Sequence, residues 1–132
     1  MSDESFSFEC DRLSAMVDTA LFERIRWERD EGPKLATLVQ LVRQVLEPRP
    51  EFELLEEGAT RDIKRFVLKI HGNRVMAVAM RIVEGRAVLT WEAIERSSYE
   101  VETGEPISAD FAEVDQQWMI DSLERVFARV RT

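Results

Sequence analysis

Apolar residues recur at helical spacing from about Asp11 to Arg29. Leu13, Met16, Val17, Ala20, Leu21 and Ile25 fall at i, i+3, i+4, i+7, i+8 and i+12, one face of a helix. Gly32-Pro33 then reads as a stop, the Gly as a C-terminal cap and the Pro as the first residue of a new helix. A second helical face follows over about Pro33–Leu46, made by Leu35, Leu38, Val39, Val42, Val45 and Leu46, and Pro48 and Pro50 end it. So short a link predicts an antiparallel helical hairpin. The first ten residues carry no such pattern and are expected to be a disordered N-terminus.

Beyond Pro50 the period shortens to two. Glu51–Glu57 alternates weakly, Ile63–His71 more clearly, and Arg74–Val83 and Arg86–Glu95 complete four strand-like runs. Gly72-Asn73 and Glu84-Gly85 separate the last three as tight turns, which predicts an antiparallel meander. Tyr99 and Val101 suggest a short fifth strand. Asp110 and Glu113 have the spacing of a capping box, with Ser108 as an alternative cap, and a long final helix is expected from there to about Arg131. The predicted fold is a single α+β domain over residues 1–132, ordered ααββββα.

Turn positions fix the pairing. With Gly72-Asn73 as the turn, Leu68 faces Ala77, Phe66 faces Ala79 and Val67 faces Val78. With Glu84-Gly85 as the turn, Val78 faces Trp91 and Met80 faces Leu89. One sheet face then carries Phe66, Leu68, Ile70, Val75, Ala77, Ala79, Val83, Val88 and Ile94, and is expected to lie beneath helices. Arg81, Thr90 and Glu92 are misfits on it. The opposite face carries Val67, Met76, Val78, Met80, Ile82, Ala87, Leu89, Trp91 and Ala93, with Arg65, Lys69, His71 and Arg74 along one strand. An apolar face of this kind needs a cover. Two helices of ~10 Å diameter span one face of four strands, so either the last helix crosses over or a second subunit covers it. The second arrangement, a homodimer, is the one expected.

Composition narrows the class of function. The 132 residues are 45% hydrophobic and 33% charged, with 5 Gly and 4 Pro, as in a globular domain. A net charge of −8 argues against nucleic acid as a partner. The single cysteine, Cys10, excludes an intrachain disulfide. The sequence shows neither a signal-peptide pattern nor an apolar run long enough to span a membrane, so a cytoplasmic location without membrane partners is expected.

Candidate chemistry is sparse. His71, the single histidine, reads as a solvated turn residue and Cys10 as a buried or inert thiol. One His and one Cys do not make a zinc site without carboxylates, and the spacings of calcium loops, phosphate loops and serine nucleophile elbows are absent. No metal, cofactor or catalytic residue is assigned, and the reading leans away from an enzyme. Two features stand above background. Arg61, Lys64, Arg65, Lys69 and Arg74 against Asp62 make a basic strand in an acidic chain, and Met76, Met80 and Trp91 suit an adaptable contact. These predict a non-enzymatic interaction module, a homodimeric adaptor, chaperone or regulator, whose partner-binding residues are Met76, Met80, Trp91, Arg65 and Lys69. The alternative is a small-molecule binding domain in which Arg81, among apolar neighbours, anchors an apolar ligand with an anionic group.

Overall fold

The computed structural model describes residues 2–60 and 62–132. They form two compact units, Met1–Lys34 and Leu35–Thr132. Together they mix helices with an antiparallel sheet, as the α+β expectation requires, and add strands to it.

The first unit is a helical corner. Helix α1 (Ser2–Val17) takes in residues 2–10 of the segment expected to be disordered. At Asp18 the backbone becomes extended (φ −154°), and its carboxylate accepts a hydrogen bond from the Leu21 N–H at 3.1 Å, capping α2 (Thr19–Arg26). The chain turns enough at this residue for the Arg29 guanidinium to reach the Asp11 carboxylate of α1 at 3.5 Å. The expected break at Gly32-Pro33 is absent. Trp27–Glu31 forms a π-helical turn, Gly32 keeps right-handed helical angles (φ −58°), and α3 (Gly32–Leu46) follows without a loop. A proline inside a regular helix clashes with the carbonyl four residues back, and widening the preceding turn relieves that conflict. Gly32 is suited to the turn by its size, since a Cβ there would stand 3.0 Å from the Trp27 carbonyl oxygen.

The second unit begins within α3 and is built on a sheet. Strands β1 (Phe52–Glu56), β2 (Lys64–Ile70), β3 (Asn73–Val83) and β4 (Arg86–Ala93) form the expected meander. A further strand, β6 (Ile107–Asp110), joins the β4 edge, giving the order β1-β2-β3-β4-β6. Between them β5 (Glu100–Val101) pairs instead with β7 (Val130–Arg131) at the chain's end. Asp110 therefore ends a strand, and helix α4 (Gln116–Phe127) starts later than expected, capped by Asp115, whose carboxylate accepts from the Trp118 N–H at 2.8 Å.

The register decides which residues share a face. Between β3 and β4 it is the predicted one, with Val78 opposite Trp91 and Met80 opposite Leu89. Between β2 and β3 it is not. His71 and Gly72 are the two turn residues, both with positive φ (51° and 78°), and Leu68 stands opposite Met76, with a bulge beyond Leu68. One residue of slip moves every β2 side chain to the other face. Phe66 and Leu68 thereby join Met76, Val78, Met80, Leu89 and Trp91 on what we term the inner face.

Helices α3 and α4 lie on that inner face. Leu54, Phe66, Leu68, Met76, Val78, Met80 and Leu89 are buried, as are Leu35, Leu38, Val39 and Val42 of α3 and Met119, Leu123 and Val126 of α4. Arg43 of α3 reaches the Leu54 carbonyl, while Arg129, just beyond α4, stacks on Trp91. The outer face carries Arg65, Val67, Lys69, Arg74, Ala77, Arg81 and Glu92. Val67 and Ala77 are nevertheless buried there. Arg65 bridges to Glu92 at 2.9 Å across β3, and Arg74 holds Glu57 through two bonds of 2.7 Å across β2.

Candidate functional site

The expected contact group does not form a surface. Met76 and Met80 are 0% and 1% exposed, packed on the inner face within their own chain, so the predicted open apolar face is the domain core. Trp91 shares that face near its margin, where its indole N–H donates to the Glu102 carbonyl at 2.9 Å and the Arg129 guanidinium lies 5.2 Å from its ring centre. Arg65 and Lys69 project from the outer face, away from the methionines. Arg65 is engaged by Glu92 and by the Glu57 carbonyl, at 3.0 Å, and Lys69 is half-buried. Arg61, counted in the same basic run, lies outside the described residues. Arg81 is exposed on the outer face opposite Val88, so the anchor expected between sheet and helices is absent.

Electrostatics sort the charged groups by surroundings. The Arg74 guanidinium hydrogen-bonds Glu57 and holds that carboxyl below the usual carboxylate range, with Arg65 and Lys69 adding to the effect. Glu31, 5% exposed in the π-helical turn, goes the other way. Burial raises its pKa, against the opposing attraction of Arg26, whose Nε stands 3.1 Å away. Among the described residues no three metal-ligating side chains converge, and no helix is long and apolar enough to cross a membrane. His71 is exposed in its turn, and Cys10 is exposed on α1 rather than buried.

The exposed apolar surface lies elsewhere, on the helical corner. Phe6, Phe8, Met16 and Val17 of α1 are 66–81% exposed, Leu13 is 46%, and Leu21 and Ile25 of α2 are 48% and 41%. None of α1's described side chains is buried. The helical stripe Leu13–Ile25 was legible in the sequence, but its period points equally to a core face or a contact face. Phe6 and Phe8 lay in the segment expected to be disordered.

A small cleft of about 210 Å³ also opens between α3 and the β1–β2 edge, over Val39 and Phe66, with Arg43, Lys64, Arg65 and Glu56 at its rim. Its cations are committed to local partners, Arg43 to Leu54, Arg65 to Glu92 and Lys64 more loosely to Glu56 at 3.8 Å. Comparison with protein-family models, curated proteins and solved structures gives no match.

Proposed function

We propose that the protein is a non-enzymatic protein-interaction module whose contact surface is the helical corner of α1 and α2. The observation that carries this reading is α1 itself, which leaves two phenylalanines, a leucine, a methionine and a valine in solvent and buries none of its described side chains. A helix of 16 residues is marginal alone in water, because helical stability comes mainly from packing an apolar face. An exposed apolar group of this size marks a contact site.

Site-specific photo-crosslinking in cells tests the proposal without naming a partner. A photoreactive residue at Leu13 or Met16 is expected to form protein adducts, to this chain or another, whereas one at exposed Glu95 is not. Equal labelling at all three positions, or none at the corner, removes the reading.

A further inference from the structure

We propose that the cleft between α3 and the β1–β2 edge binds a small monocarboxylate with a branched or cyclic apolar tail. The cleft lies within the second unit and uses no residue of the helical corner. Helical spacing builds one wall. Ala36, Val39, Gln40 and Arg43 recur at i, i+3, i+4 and i+7, so α3 presents them as one stripe. Val39 joins Phe66 of β2 as the apolar floor, and Ala36, with only a methyl group, leaves space that a longer side chain would fill. The volume is about 210 Å³. At the ~30 Å³ that one water occupies in the liquid, it holds about seven non-hydrogen atoms. A short branched carboxylate such as isovalerate has this size, and benzoate is slightly larger.

Charge selects an anion. Arg43 donates to the Leu54 carbonyl from Nε and Nη2, at 3.2 and 2.9 Å, and to Gln40 Oε1 from Nη1 at 3.3 Å. Both acceptors are neutral, so the guanidinium is held in position with its charge uncompensated. Of its five N–H donors three are used, and one remains on each Nη for a carboxylate. Lys64 adds a second cation. Its ammonium stands 3.8 Å from the Glu56 carboxylate, too far for a hydrogen bond. Arg65, the third cation at the rim, is balanced by Glu92. The rim therefore keeps one positive charge in excess, in a chain of net −8. Apolar walls concentrate that field inside the cleft, where a neutral ligand of the same shape gains nothing from it. The ligand class expected of Arg81 thus falls to Arg43 and Lys64.

Nuclear magnetic resonance titration of the full chain with benzoate, and with benzamide as its neutral counterpart, tests the proposal. Benzoate is expected to give saturable shifts with a Kd below about 1 mM, and Overhauser contacts from its ring to the Val39 methyls and the Phe66 ring. Benzamide should bind about 10-fold more weakly or less. Lys64→Met keeps the aliphatic stem and should weaken benzoate about 10-fold. Gln40→Glu sets a resident carboxylate beside the Arg43 Nη1 and should weaken it as well, whereas Glu56→Gln removes the acid of the rim and should tighten it about 3-fold. These three side chains are exposed or half-buried, so each variant is expected to keep the wild-type circular dichroism. No saturable shift at about 10 mM benzoate overturns the proposal. So do equal binding of benzamide, Overhauser contacts that avoid Val39 and Phe66, or weaker binding by folded Glu56→Gln.

Discussion

Gly72 sits at φ +78° with open space where a Cβ would stand, so a side chain there meets backbone strain and no steric neighbour. Gly72→Val is expected to lower stability by roughly 1–3 kcal/mol in urea unfolding, with an unchanged m-value. The sequence marks this turn but not its phase, because glycine serves either as the first residue of one hairpin turn or as the second of another. Here it is second, and His71 accepts the left-handed angle before it. Two carboxylates give opposite pH responses. Glu31 has a raised pKa in the folded chain, so its contribution is fully present below the unfolded pKa, about 4.3, and is lost as pH rises through the folded value. Glu57 has a lowered one, so its contribution is present above the unfolded pKa and lost as pH falls through the folded value. Glu31→Gln is expected to be at least as stable as wild type at pH 7. It should also lose the part of the stability gain that Glu31 contributes as pH falls from neutral toward the unfolded pKa, about 4.3, read as the Tm at each pH.

Elements were legible where one local signal dominated. Glu84-Gly85 tolerates positive φ at both positions and fixed the β3–β4 register, which matches the structure pair for pair. Competing signals are ambiguous. Gly32-Pro33 reads as a break, yet the π-helical turn before it lets the backbone pass, while the real corner is at Asp18, inside an apolar stripe that runs on without a visible gap. Asp110 has the spacing of a cap, but β6 holds it by pairing with Arg86, whose guanidinium bonds its carboxylate at 2.8 Å. The working cap is Asp115. Asp115→Ala is therefore expected to cost about 0.5–2 kcal/mol, while Asp110→Ala, which removes only an exposed ion pair, stays within about 1 kcal/mol. Thermal unfolding of the two variants separates them. Trp118, which looks like a core residue in the helical pattern, is half-buried, and Met119 beside it is 0% exposed.

At the scale of the whole molecule, one residue of register decides whether the methionines are core or surface. Alternation along each strand was clear, but relating the faces of neighbouring strands requires the turn phase and the bulge beyond Leu68, neither of which the pattern records. Met80→Glu tests the outcome. A carboxylate at a site 1% exposed among apolar side chains is expected to abolish cooperative unfolding of the sheet unit, with loss of near-ultraviolet circular dichroism. A folded protein with native spectra would return Met80 to the surface. The candidate contact site was only half legible: its apolar stripe was visible, but the exposure of the α1 side chains is a property of tertiary structure.

Arg43 has a role beyond joining α3 to the sheet. Strand β1 is an edge, and its ladder to β2 runs through odd-numbered residues, with Glu57 N–H on the Arg65 carbonyl and His71 N–H on the Glu51 carbonyl. The Leu54 carbonyl therefore points outward, where another molecule's strand would seek it. Arg43 occupies it with two donors, at 3.2 and 2.9 Å, and Phe52 spends its own N–H on the Arg49 carbonyl at 3.0 Å. An incoming strand finds the middle of the edge already taken, a safeguard against fibre growth. Arg43→Ala reopens it. On prolonged incubation that variant is expected to bind thioflavin and sediment as polymer while wild type stays clear.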